Sequence, residues 1–236
     1  MKSEDMAINE SVFDSIIIGF GKTGDIEKAE QTLDMLRSSG AEPSSDTYTA
    51  LLCAYAYNSK IPGIELKINK VLEDIKQSDK YLSEDQLFKV VKTLALNDSD
   101  PKLLDHVLNQ IKKTSNYNKE CLSVVNDLIF AHKLDFAFKL YDTMDSSEED
   151  IRESNYGNPL IRAMVRANVA PEEVIGFCER LESRGSNESA IKTATEMALL
   201  HSDIDICRTY LNRMAVDSPL KLHYFYPLIV KCQNEE

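Results

Sequence analysis

The sequence has no tryptophan, and aromatic residues make up only 8% of its 236 positions. Core cohesion must therefore come from aliphatic side chains, which suits packed helices better than a sandwich of sheets. Eight glycines and seven prolines are too few for a collagen or a flexible linker. Basic residues are also scarce: 27 Lys and Arg stand against 39 Asp and Glu, a net charge of −12. That balance excludes a clamp holding nucleic acid by bulk electrostatics alone. No apolar run approaches the roughly 18 residues of a membrane span, so no membrane partner is expected. The opening Met1-Lys2-Ser3-Glu4-Asp5 has neither a signal peptide's apolar stretch nor a transit peptide's Arg-rich, acid-poor character.

Chemistry-bearing clusters are missing too. Cys53, Cys121, Cys178, Cys207 and Cys232 include no Cys-x-x-Cys pair and read as reduced core thiols. His106, His132, His201 and His223 have no paired metal spacing, so no metal or other cofactor is expected. No local motif joins a Ser, a His and an acid, and the chain reads as non-enzymatic. Gly21-Lys22-Thr23 resembles the end of a phosphate-binding loop. That motif needs a glycine at position 16, which is Ile16, so the segment reads as a turn.

What the chain does have is a period. Apolar residues at i, i+3, i+4 and i+7, one face of a helix, occur at Phe13, Ile16, Ile17 and Phe20 and again at Tyr48, Leu51, Leu52 and Tyr55. Further sets begin at Leu87, Cys121, Gly157, Ala194 and Phe225, with successive starts 31 to 39 residues apart. Between them runs a second template, i, i+3, i+7 and i+10, clearest at Ile26, Ala29, Leu33 and Leu36. It recurs at Leu134, Ala137, Tyr141 and Met144, and at Ile204, Cys207, Leu211 and Met214, with weaker copies closing at Ile75, Ile111 and Leu181. Pro101 and Pro171 fall where two of these second helices start, a position at which the missing N–H costs nothing. Asp100 is the natural cap before Pro101.

Seven first helices and six second helices describe helical hairpins, each too small to bury its stripe without neighbours. The expected fold is all-α, a right-handed α-solenoid of helix-turn-helix repeats forming one array over 1–236. The repeats run approximately 10–44, 45–83, 84–117, 118–153, 154–190 and 191–221, with a partial one at 222–236. The chain begins and ends in patterned sequence, as a fragment of a longer protein would. First helices should line the inner surface, where ligands of such arrays lie. A final first helix from Phe225 without a companion should expose apolar surface unless further repeats or an end-to-end contact cover it.

An aromatic at Phe13, Gly24 at the turn, Ala29 and Leu36 in the second helix, then Gly40 and Pro43 together resemble a pentatricopeptide repeat. A tetratricopeptide repeat would share the Pro but place Trp or Leu-Gly near its start. More narrowly, the stretch from Phe13 through Tyr55 and the closing His223-Tyr224-Phe225-Tyr226-Pro227-Leu228 resemble the leucine-rich branch of that family in animals. The resemblance implies a mitochondrial matrix protein, with nucleus or cytoplasm as further compartments. It implies action on messenger RNA stability, polyadenylation and translation. Its partners would be single-stranded RNA and a small stem-loop-interacting RNA-binding protein. The site residues implied are the polar inner positions Asp14, Lys22, Ser44, Thr49, Ser83, Asn158 and Arg166.

Base-reading members of the family use the residue after the first-helix aromatic together with the last residue of the repeat, one base per repeat. The corresponding pairs here are Asp14 with Ser44, Thr49 with Ser83, Phe88 with Tyr117, Leu122 with Glu153, Asn158 with Ala190 and Thr195 with Lys221. None is a standard combination of a small polar residue with Asp or Asn. The aliphatic platform of the second position is replaced by Ser11, Asp46, Asp85, Lys119, Asn155 and Lys192. Lys22 and Arg166 alone fill the phosphate-contact slot near the first-helix end. The expected alternative to base reading is a protein-docking scaffold that holds an RNA-binding partner. The acidic run Asp142, Asp145, Glu148, Glu149, Asp150 and Glu153 reads as a solvated inter-repeat loop, or else as a lure for a basic segment.

Overall fold

A computed structural model describes residues 10–78, 80–144, 157–217 and 219–234. Among the described residues there are thirteen α-helices and no strand. The first-type helices are α1 (Glu10–Thr23), α3 (Ser45–Tyr57), α5 (Glu84–Leu96), α7 (Tyr117–Phe130), α9 (Asn158–Arg166), α11 (Ala190–His201) and α13 (Phe225–Asn234). Alternating with them are α2 (Ile26–Ser38), α4 (Ile64–Gln77), α6 (Pro101–Leu108), α8 (Leu134–Tyr141), α10 (Pro171–Ser183) and α12 (Ile204–Asp217). The fold is all-α and built of helical hairpins, as the two templates require. The helices fall into two compact units, 1–124 and 125–236.

Helix boundaries follow local chemistry. Gly24, with φ +82°, turns the chain out of α1, and the Asp25 carboxylate accepts the Lys28 N–H at the start of α2. Gly40, φ +84°, makes the same exit from α2. Asp100 caps α6 by accepting the Lys102 N–H at 2.8 Å, with Pro101 in the first helical position. Such caps contribute about 1 kcal/mol each. Gly21-Lys22-Thr23 closes the last turn of α1. A helix C-terminus presents carbonyls rather than amides, so it cannot cradle a phosphate.

In the first unit α1 packs on α3 and α3 on α5, while α2 and α4 each lie against α3. The consequence for α3 is enclosure: every residue from Thr47 to Ala56 is buried. Small side chains make this possible. A Cβ built on Gly21 would stand 2.4 Å from the Ala54 Cα, inside van der Waals contact. Asn58 fastens the same crossing, its Nδ2 donating to the carbonyls of Gly21 at 2.7 Å and Ala54 at 2.9 Å. On the other side of α3, the Tyr55 hydroxyl donates to Glu30 Oε1 at 2.7 Å, and Lys67 Nζ meets that same oxygen at 2.7 Å. One carboxylate thus links α2, α3 and α4.

In the second unit α9 packs on α11, α10 lies against both, and α12 joins α11 to α13. Ala163, Ala167, Ala190, Ala194 and Ala198 are buried there. The Phe138 ring of α8 stacks on Phe177 of α10, centroids 5.2 Å apart, with the Arg180 guanidinium over both rings. The α13 helix is covered on one side only: Phe225, Tyr226, Ile229 and Val230 are 40 to 67% exposed. Four cysteines are buried free thiols, as their spacing suggested, but Cys232 is exposed on α13.

The Gly21 crossing yields a paired prediction. Gly21→Ala should lower stability by about 1–3 kcal/mol, because the methyl group meets backbone that cannot yield. Gly19→Ala, in the same helix with nothing within 4 Å, should raise it by about 0.5–1 kcal/mol through helix propensity. Denaturant midpoints of the two variants check both signs.

Candidate nucleic-acid interface

The first residue of each expected reading pair lies on a first-type helix, and four of these six, Thr49, Phe88, Asn158 and Thr195, are buried. Thr49 is 6% exposed, and its hydroxyl donates to the Ser45 carbonyl at 2.8 Å, one turn back on α3. Phe88 is 2% exposed and packs on Tyr117, ring centroids 5.3 Å apart. The two residues of that repeat's expected reading pair therefore spend their surfaces on each other. Thr195 and its hydroxyl are fully buried, bonded to the Ile191 carbonyl. Asp14 and Leu122 are half-buried.

Asn158, the first residue of α9, is 7% exposed, and its Oδ1 accepts Asn187 Nδ2 at 2.8 Å. Asn187 is wholly buried and also receives the Ser189 N–H and hydroxyl on its Oδ1. This polar knot fixes the entry to α11 from beneath. Sequence reasoning missed Asn187, which belongs to neither apolar template. Its only signal was an amide two residues past the Gly185 turn, where an Asx-type bond to the chain is common.

Ser44 and Ser83 are occupied with capping. The Ser44 hydroxyl accepts the Thr47 N–H at 3.2 Å. Ser83 forms a reciprocal capping box with Gln86, whose Nε2 then reaches across to Asp46 Oδ1 at 2.7 Å. Thus Asp46, at a platform position, is tied to the next repeat by a hydrogen bond.

Lys22 and Arg166 remain on the surface, each in the last turn of its helix. The Lys22 amine sits 5.7 Å from the Tyr57 ring centroid, and Arg166 shares its exposed face with Arg162, four residues earlier on a helix that carries no acid. Both cations also sit favourably at a helix C-terminus. The first unit thus holds Asp14, Lys22, Ser44, Thr49 and Ser83, and the second Asn158 and Arg166.

Other chemistry finds little footing. Burial pushes the Cys178 thiol up to about 12, and it raises the Cys53 and Cys207 thiols too. These sulfurs stay protonated and inert at neutral pH. Among the described residues no group of three His, Cys, Asp or Glu is placed to hold a metal ion. No described helix is long and apolar enough to cross a membrane. Of the acidic run, only Asp142 lies within the described residues; Asp145, Glu148, Glu149, Asp150 and Glu153 lie outside them, as does the Glu153 half of one reading pair.

The Asn158–Asn187 bond carries its own test. Asn187→Ala leaves the Asn158 amide oxygen and the Ser189 N–H without this partner inside the protein. It should cost about 1–3 kcal/mol, read as a lower thermal midpoint.

Comparison with known proteins agrees with the helical pattern. The family model for the PPR repeat matches residues 11–40. A mouse protein, the mitochondrial leucine-rich PPR motif-containing protein, is 26% identical over 135 residues, 57% of this chain. The chain matches about a tenth of the mouse protein's length, the aligned share being 10%.

Proposed function

The chain carries a pentatricopeptide repeat and resembles the leucine-rich PPR motif-containing protein, and from that premise we propose that it works in a mitochondrial protein that acts on messenger RNA. The role is to maintain messenger RNA stability and to support its polyadenylation and translation. The repeat at 11–40 and the likeness to a relative named as mitochondrial support this reading.

Within that role, RNA contact is assigned to surface cations, with Lys22 and Arg166 meeting phosphates. Asp14, Ser44, Thr49, Ser83 and Asn158 act through the shape of the face rather than by reading base edges. For Thr49 and Asn158 the observation that supports this division is their burial, shared by Phe88 and Thr195, and for Ser44 and Ser83 it is their capping bonds. A base can be read only by a side chain that it can reach. The same observation favours the second reading, a scaffold that docks a small RNA-binding partner while RNA touches other regions.

A titration separates the two. Single-stranded RNA is added to the isolated chain at low salt, followed by the small stem-loop-interacting partner. RNA contact through the cations predicts binding that differs little among homopolymers. It should weaken about tenfold or more when Lys22→Glu and Arg166→Glu are combined, since each contact releases counterions. Partner binding without an RNA signal would move the role to the scaffold. Strong preference for one homopolymer would contradict the assignment.

A further inference from the structure

The first unit contains a cleft that the RNA reading touches only at Ser83. It has a volume of about 610 Å3 and lies at the loop edge, between the end of α4, the start of α5 and the chain that follows α6. Its origin is a short helix. α6 stops after eight residues at Leu108, whereas α4 runs for fourteen. A loop through Gln110, Lys112, Thr114 and Asn116 therefore forms one lip. The lining includes the apolar Leu72, Ile75, Leu82 and Leu87, and Tyr81 stands on the rim 81% exposed.

The rim is already ordered. Ser45 donates to the Tyr81 carbonyl at 3.1 Å, and Lys80 Nζ donates to the Pro43 carbonyl at 2.7 Å. Ser83 is held in its capping box, and Glu84 Oε1 accepts the Thr114 N–H at 3.0 Å, joining the two lips. A ligand entering such a site has little ordering cost left to meet.

Charge decides the occupant. Asp85 is paired with Lys89 at 2.8 Å, and the Glu84 carboxylate is committed to the loop. Lys76 and Lys112 line the cleft with no ion pair among the described residues. The corresponding loop-edge cleft of the second unit, about 580 Å3, has no such pair of lysines: Lys192 faces Glu196 at 3.8 Å, and Glu182 and Glu188 share the lining with Lys221. An RNA strand would bring a phosphate at every step past Glu120, which also lines the cleft, whereas a peptide can bring a single carboxylate to the lysines beside an apolar group.

We propose that this cleft is a docking site for a short peptide segment of a partner protein, one acidic residue meeting Lys76 and Lys112 and an adjacent large apolar side chain seated beside Tyr81. Tyrosine is enriched among the residues that anchor such interfaces once a partner covers it. None of its three contact residues, Lys76, Tyr81 and Lys112, belongs to the RNA role, which shares only Ser83 with the cleft. A chain that failed every RNA titration would still bind the peptide, and the reverse also holds.

The experiment selects short random peptides displayed on phage against the full chain, with counter-selection on a Lys76→Glu, Lys112→Glu, Tyr81→Ala variant. All three side chains are exposed, and circular dichroism confirms that the variant keeps its helices. Enrichment of peptides pairing Asp or Glu with Leu, Ile or Phe is expected. Their affinity should fall about tenfold or more in the variant and decline with rising salt. No enrichment over the variant, or enrichment of basic peptides, would overturn the proposal. So would a single-stranded RNA pool that loses binding in the variant when no peptide does.

Discussion

Close approach between neighbouring first-type helices governs what this protein can do with its surface. In the first unit the approach is set at Gly21 against Ala54, where no larger residue fits. Ala50, Cys53 and Ala56 of α3 are also small and buried. Helices brought this near leave no gap between them for a ligand, and side chains on their flanks become core. Thr49 is interior on the enclosed α3, and Phe88 is interior where it packs on Tyr117.

The second unit reaches the same result with different residues. Alanines at 163, 167, 190, 194 and 198 are buried about the α9–α11 pair, and Asn158 and Thr195 are buried there. Asn158 compensates for its buried amide through Asn187, and Thr195 through its own helix, as buried polar groups must. A stack that satisfies its inner polar groups internally gains stability, and Thr49, Asn158 and Thr195 have their polar atoms bonded within the protein. Surface cations, loop-edge clefts and the exposed apolar face of α13 are available for contact with other molecules.

Much of the architecture was legible in the sequence because apolar periodicity reports directly on burial. The sets at Tyr48, Leu87, Cys121 and Gly157 are buried throughout, and Leu33, Leu72, Leu108, Cys178 and Leu211 are core residues of the second template or its turn. The template weakened in α1 and α13, the outermost of the described helices: Ile16 is 41% exposed and Ile229 is 53% exposed. It also misplaced His201, which is exposed at the end of α11. The fate of polar inner positions was harder to read, since a template that counts apolar residues says nothing about a threonine between two of them. One signal was available. After Asp46, α3 carries no charge at all, and a helix without a charged face is a helix enclosed on every side. The α4–α6 cleft was not legible, because it depends on where α6 stops, and helix ends are the least certain feature of a pattern.

The burial of the first-helix reading positions is the claim on which this account turns, and hydroxyl-radical footprinting of the free chain addresses it most directly. Phe88, 2% exposed, should be oxidised far more slowly than Phe130, 56% exposed, in the folded protein, and the two should converge on unfolding. Comparable oxidation of Phe88 and Phe130 in the folded chain would mean that the inner face is open to solvent, and the account would be wrong.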